Sequence, residues 1–167
     1  MNQLPATQPV KGLRPETAWF SVVQAYQVCT RQYERMLSEF DLSIAQFDVM
    51  SVIQRLNHQA MPKQIAEHLV VTRGNITGVL QRLQARGLVD TQPHPEDGRA
   101  RVCGLSTSGR ALLAHAQAAA TRFIHTQLAP FSDQDMQRTH HLMKQMARHL
   151  ESMDPIALAQ GTDTRNS

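Results

Sequence analysis

The sequence predicts a mainly α-helical fold with a single two-stranded hairpin, and three observations carry that prediction. Apolar residues recur at helical spacing through most of the chain, while short runs that suit strands are confined to residues 88–92 and 101–105. Hydrophobic residues make up 41% of the chain but aromatics only 5%, a balance rich in Ala, Leu, Val and Met that suits helices packed on helices. Between the two strand candidates, the segment PHPEDGRA supplies the Pro, Asp and Gly of an extended turn. At 167 residues the chain is long enough for one domain with a real core.

Taken in order, residues 1–15 contain three prolines among polar residues and predict a flexible arm. Residues 16–40 keep a helical period through Trp19, Val22, Val23, Tyr26, Cys29, Tyr33, Met36, Leu37 and Phe40, a wide apolar face that can serve both a core and a partner. Ser43-Ile44-Ala45-Gln46 has the spacing of a capping box, so a second helix is expected over 43–57, burying Phe47, Met50, Ile53 and Leu56. Pro62, in a first turn where its missing N–H costs little, opens a short helix through residue 70 with Ile65, Ala66 and Leu69 inward.

The next helix is expected over 73–86. Thr72 is placed to N-cap it by accepting a backbone N–H bond, and Gly87 sits where a left-handed stop is wanted. Ile76, Val79, Leu80 and Leu83 form one apolar face, opposite Arg73, Asn75, Thr77 and Gln81. Arg73, Asn75 and Thr77 in the first turn can bond guanine, adenine and either base edge when a helix N-terminus enters a major groove. The hairpin turn ends in Arg99 and Arg101. A wing tip of that kind can place the Arg99 guanidinium in a minor groove, with Asp97 holding it by a forked ion pair. Arg101 and Lys63 then serve phosphates. Together these segments predict a winged helix-turn-helix that reads DNA.

Beyond the wing, Ser106 can cap an Ala-rich helix to about residue 128, which Pro130 ends. Ser132 and the acidic turn after it start a last helix with Met136, Leu142, Met143, Met146 and Leu150 as its apolar positions, and the tail from 154 is expected to fray. Three long helices outside the reading head exceed what it needs, which points to dimerisation. The expected layout is an arm (1–15), a dimerisation helix (16–40), a winged region (41–106), dimerisation helices (107–153) and a frayed tail (154–167).

Charge supports the same assignment. The net charge is only +3, yet the stretch from Thr72 to Arg110 holds Arg73, Arg82, Arg86, Arg99, Arg101 and Arg110 against Asp90, Glu96 and Asp97, so the whole excess falls on the reader. No Gly-rich phosphate loop after a strand, carboxylate pair or nucleophile elbow is present, and no enzyme is predicted. No secretory h-region and no apolar run of the ~20 residues needed to span a bilayer occurs, so a cytoplasmic protein with no membrane partner is expected. Cys29 and Cys103 fit no metal or disulfide spacing, and the eight histidines include no i, i+4 pair. No metal or cofactor is predicted.

RGNITGVLQRLQARGLV and EDGRARVCGLSTSGRALL resemble the MarR family of bacterial transcriptional regulators, and the resemblance extends more loosely over residues 17–150. Asp97-Gly98-Arg99 occupies the family's Asp-x-Arg wing motif, with Gly98 departing from the Arg often found there. The resemblance implies a homodimer on a palindromic double-stranded operator, usually a repressor released by a small ligand or an oxidant. It also implies that the first helix joins the C-terminal helices at the dimer interface.

Urate-responsive members use a helix-one Trp and a helix-two Asp, which makes Trp19 and Asp48, with Arg73 or Arg99, candidates for an aromatic ligand. The plainer alternative leaves Trp19 at the dimer interface and Asp48 on the surface. Peroxide-sensing members use a helix-one Cys near tyrosines, which makes Cys29 a redox candidate; its own setting among Val, Tyr and Met favours a small core residue. Cys103, in a wing strand, is expected to be structural. A winged-helix protein-interaction module with an incidental basic face is the competing class.

Overall fold

The computed structural model describes residues 12–94 and 100–161. Its elements run α1 (Pro15–Ser38), α2 (Ile44–Arg55), α3 (Pro62–Leu69), α4 (Arg73–Ala85), β1 (Val89–Pro93), β2 (Arg101–Leu105), α5 (Thr107–Leu128), α6 (Asp133–Ser152) and α7 (Pro155–Ala159). The chain divides into two compact units, one spanning Pro9–Thr126 and the other containing the chain from Gln127 onward.

In the first unit, local chemistry starts each helix. The Ser43 hydroxyl accepts the Gln46 N–H (3.2 Å) while Gln46 Oε1 accepts the Ser43 N–H (3.0 Å), so two donors that a helix start leaves open are satisfied together. Gln64 Oε1 takes the Met61 N–H ahead of α3 (2.9 Å), and Ser106 Oγ takes the Gly109 N–H at the start of α5 (2.9 Å). Gly87, at φ 65°, ends α4 in the left-handed conformation that a Cβ would resist.

The core joins α1 to α5 and the sheet through Leu37, Met50, Ile53, Ile65, Leu83 and Leu113, all fully buried. Tyr33 packs against Phe47 of α2 (ring centroids 6.1 Å apart) and Phe123 of α5 (5.5 Å). β1 and β2 pair antiparallel, Val89 opposite Leu105 and Pro93 opposite Arg101. A further bridge joins Ala60 to Cys103, with N–H···O bonds of 3.1 and 2.8 Å, so the α2–α3 turn is stitched to the root of the hairpin. Two glycines of β2 and α5 permit close approach: a Cβ on Gly104 would lie 2.9 Å from the His58 carbonyl oxygen, and one on Gly109 would lie 2.0 Å from that of Leu88.

In the second unit, Ser132 and Asp135 form a capping pair that starts α6. α6 and α7 have no buried residue, and Leu142, Leu150, Ile156 and Leu158 are each more than half exposed.

Several expectations need correction. Thr72 occupies the N-cap position of α4, but its side chain makes no capping bond. Leu56 is only partly buried, whereas Val49 and Val52, on the flank of the α2 face, are buried. The first strand begins one residue later than expected and ends at Pro93. The segment expected as a tail from 154 carries a further short helix: Asp154 Oδ1 accepts the N–H groups of Ile156 (2.9 Å) and Ala157 (3.1 Å), and α7 follows. Cys29 is half-buried and lies outside the core, because α1 sinks its side chains among α2 and α5 only toward its C-terminal end.

Candidate nucleic-acid interface

α4 separates two functions by face. Ile76, Val79, Leu80 and Leu83 are buried, while Thr72, Asn75 and Thr77 are exposed along the first turns. That division follows from 3.6 residues per turn: one side is consumed by packing, and the other is left as a row of polar groups at the helix N-terminus. Arg73 opens the helix at its first position. Lys63, on α3, is exposed, its ammonium 3.7 Å from Glu67 Oε1. An open pair of this kind is weak, and a phosphate can compete for the ammonium. Arg101 is exposed at the start of β2. The expected wing residues Asp97 and Arg99 lie outside the described residues.

Three links hold α4 to its surroundings. Gln84 Nε2 donates to Thr91 Oγ1 of β1, and Thr91 lies 3.9 Å from the Cys103 sulfur across the hairpin. Burial pushes the Cys103 thiol above its ordinary pKa, the Thr91 hydrogen bond pulling the other way, so this cysteine stays a protonated packing group. The carbonyl of Gly87, just past α4, accepts from Ser106 Oγ (2.7 Å) and Ser108 Oγ (3.0 Å) of the hairpin–α5 junction. Arg86 Nη1 donates to the Asp41 carbonyl between α1 and α2 (2.5 Å).

A cleft of about 450 Å³ opens between α1, α2 and α4, lined by Glu34, Ser43, Asp48, Asn75, Ile76 and Val79 among others. Burial holds the Asp48 carboxyl above the usual carboxylate range. The Tyr33 phenol is raised too, first by burial and then by the charges of Asp48 and Cys29. Trp19 does not share this cleft. It stands fifteen residues before Glu34 on α1, roughly 22 Å along the helix axis, 58% exposed and edge-on to Phe20 with ring centroids 5.0 Å apart. One chain therefore does not bring Trp19 and Asp48 together. Asp48 itself is half-buried, not a freely solvated surface group. Glu34 was not anticipated, because nothing in the spacing of α1 tells which polar residue faces α2.

Among the described residues, no group of three or more His, Cys, Asp or Glu side chains is placed to hold a metal ion, and no helix is long and apolar enough to cross a membrane.

A tri-helical core, a recognition helix with an exposed polar first turn and a two-stranded hairpin behind it define a winged helix-turn-helix protein. Comparison with known proteins narrows the class. The MarR family model matches residues 40–100. The multiple antibiotic resistance protein MarR of Escherichia coli is 31% identical over 98 residues, covering 59% of this chain and 67% of that protein. The HTH-type transcriptional repressor IacR of Pseudomonas putida is 24% identical over 124 residues, 74% of each chain. Among solved structures, the transcriptional repressor CouR bound to a 23-mer DNA duplex superposes with a TM-score of 0.71 over 84% of this chain and 99% of that one, at 23% identity. The chain belongs to the MarR family of transcriptional regulators.

Proposed function

We propose that this regulator is a homodimeric repressor that binds a palindromic operator and is released by a small aromatic ligand. The observation that carries the DNA-reading assignment is the first turn of α4: Asn75 and Thr77 stand exposed on a helix whose opposite face is fully committed to the core. With Arg73 they are the base-reading set; Lys63 and Arg101 neutralise phosphates, Arg99 enters the minor groove and Asp97 orients it. The bound form of CouR supports a duplex as partner of this fold. Exposed apolar residues on α1 and α6, including Trp19, Phe20, Leu142 and Leu150, are the kind of surface a second copy covers. The cleft beside Asp48 is the place for the ligand, because the recognition helix forms one of its walls. Work on DNA places the protein in the cytoplasm.

Selection from a random duplex library at moderate salt tests the whole reading. A palindrome with half-sites about one turn, roughly 34 Å, apart is expected, with affinity falling steeply as salt rises. Arg99→Ala is expected to weaken operator binding without lowering the unfolding midpoint; equal affinity would remove Arg99 from the wing contact. Recovery of no motif, with salt-insensitive binding, would favour a protein-interaction module.

A redox role for Cys29 is the second reading, favoured by its half-buried position close enough to Tyr33 to act on its ionisation. Loss of operator binding on peroxide treatment, abolished by Cys29→Ser, is its signature.

A further inference from the structure

Val70 combines two features that a surface turn normally avoids. Its backbone is left-handed, at φ 53° and ψ 46°. That region is strained for a β-branched side chain, and glycine is its natural occupant. The other non-glycine residues with positive φ among the described residues are Asp41, Asn57 and His58, the polar types that tolerate it. Val70 is also 90% exposed, so the isopropyl group contributes nothing to the core. Glycine would remove both the strain and the exposed apolar surface. The left-handed backbone itself ends α3 as its C-cap; what neither folding nor solubility accounts for is a valine there in place of glycine, and strain of this sort concentrates where a side chain is used.

Its position says for what. Val70 closes the turn between α3 and α4 and lines an open groove together with Lys63, Thr72 and Asn75. The groove thus presents the Lys63–Glu67 pair, a hydroxyl, a carboxamide able to read a base edge, and the apolar groups of Ala66, Val70 and Val71, of which Val70 is the most exposed. An isopropyl group can offer a duplex no hydrogen bond. What it can distinguish in the major groove is the 5-methyl group of thymine, the apolar feature of an A·T pair.

We propose that Val70 is a specificity residue: it packs on the methyl group of a thymine next to the bases served by Asn75, and imposes a thymine preference at one position of each half-site. This rests on the DNA-reading function proposed above. The left-handed C-cap that ends α3 leaves the side chain exposed at the groove rather than in the core.

The test replaces thymine by deoxyuridine, which differs only by that methyl group, one position at a time in the duplex recovered by selection. Binding is followed by fluorescence anisotropy. The parent protein is expected to lose about four-fold in affinity at one symmetric position, the loss that follows from leaving one methyl-sized group unburied. Val70→Ala and Val70→Gly are expected to bind the thymine and deoxyuridine duplexes equally. Val70→Gly alone is expected to raise the thermal midpoint by a few degrees, because only it relieves the backbone. Variants that still discriminate as the parent does, or a parent indifferent at every position, would overturn the contact while leaving DNA reading intact. A parent that binds no duplex at all would overturn the function and the contact together.

Discussion

Asp48 shows how much one side chain's surroundings decide. Burial penalises its charged form, so the folded carboxyl titrates above its ordinary value of 3.8. In the window between that value and the raised one, the folded state binds more protons than the unfolded state, and stability falls as pH rises. The cost is fully present above the folded pKa and gone below the unfolded one. Asp48→Asn is therefore expected to raise the thermal midpoint at pH 7, with the gain shrinking toward pH 4; scans across that range check it. A second contrast lies between Ser43 and Thr72, both at N-cap positions. Ser43 accepts a backbone N–H and Thr72 does not. Ser43→Ala should cost about 1 kcal/mol and Thr72→Ala under ~0.5 kcal/mol in urea titrations. A matching loss at Thr72 would show that its hydroxyl caps α4 after all. Thr72→Ala remains informative for DNA binding because the fold does not depend on that hydroxyl.

At the scale of the element, α5 is seated against the hairpin through Gly109, where a Cβ would fall 2.0 Å from the Leu88 carbonyl oxygen. That oxygen belongs to backbone and cannot swing away. Gly109→Ala is expected to lower stability by about 3 kcal/mol and to loosen the hairpin; denaturant unfolding measures the first, and faster amide exchange at Val89 and Leu105 reports the second. Elements were legible in the sequence where their signals are local. The capping box at Ser43, the proline opening α3 and the glycine ending α4 each act within a turn, so α2 to α4 could be placed to within a residue or two. Contacts made across the chain were not legible. The Ala60–Cys103 bridge joins residues more than forty apart, and its purpose is visible only once α2 has folded beside the hairpin. Glu34 and Asp48 share a cleft because two helices cross, not because of any spacing. Val-Val-Thr contains none of the residues that announce a left-handed turn, whereas Asp154-Pro155 has the N-cap and first-turn proline that start the short α7.

At the scale of the whole molecule, the apolar surface of α6 and α7 is too extensive for a freely solvated segment: Leu142, Leu150, Ile156 and Leu158 are exposed together with the half-covered Met143 and Met146. Leu150→Glu is expected to convert a dimer into a monomer by sedimentation velocity, and to reduce operator affinity more than any single change at the reading face, since two half-sites are then no longer held by one particle. A variant that stays dimeric would move the interface elsewhere. The bond from Arg86 to the Asp41 carbonyl has a mechanical meaning as well. It anchors the far end of α4 to the corner between α1 and α2, while the proposed reading residues sit at the opposite end of a 13-residue helix, roughly 20 Å away. An anchored rod of that length is a lever with its fulcrum at Arg86. A tilt of about 10° sweeps its tip through roughly 3 Å, as long as a hydrogen bond itself. Under the proposed function, a ligand lodged beside Asp48 is expected to act through a rotation of this size, with the buried Ile76 and Val79 of α4 shifting together with Asn75 and Thr77.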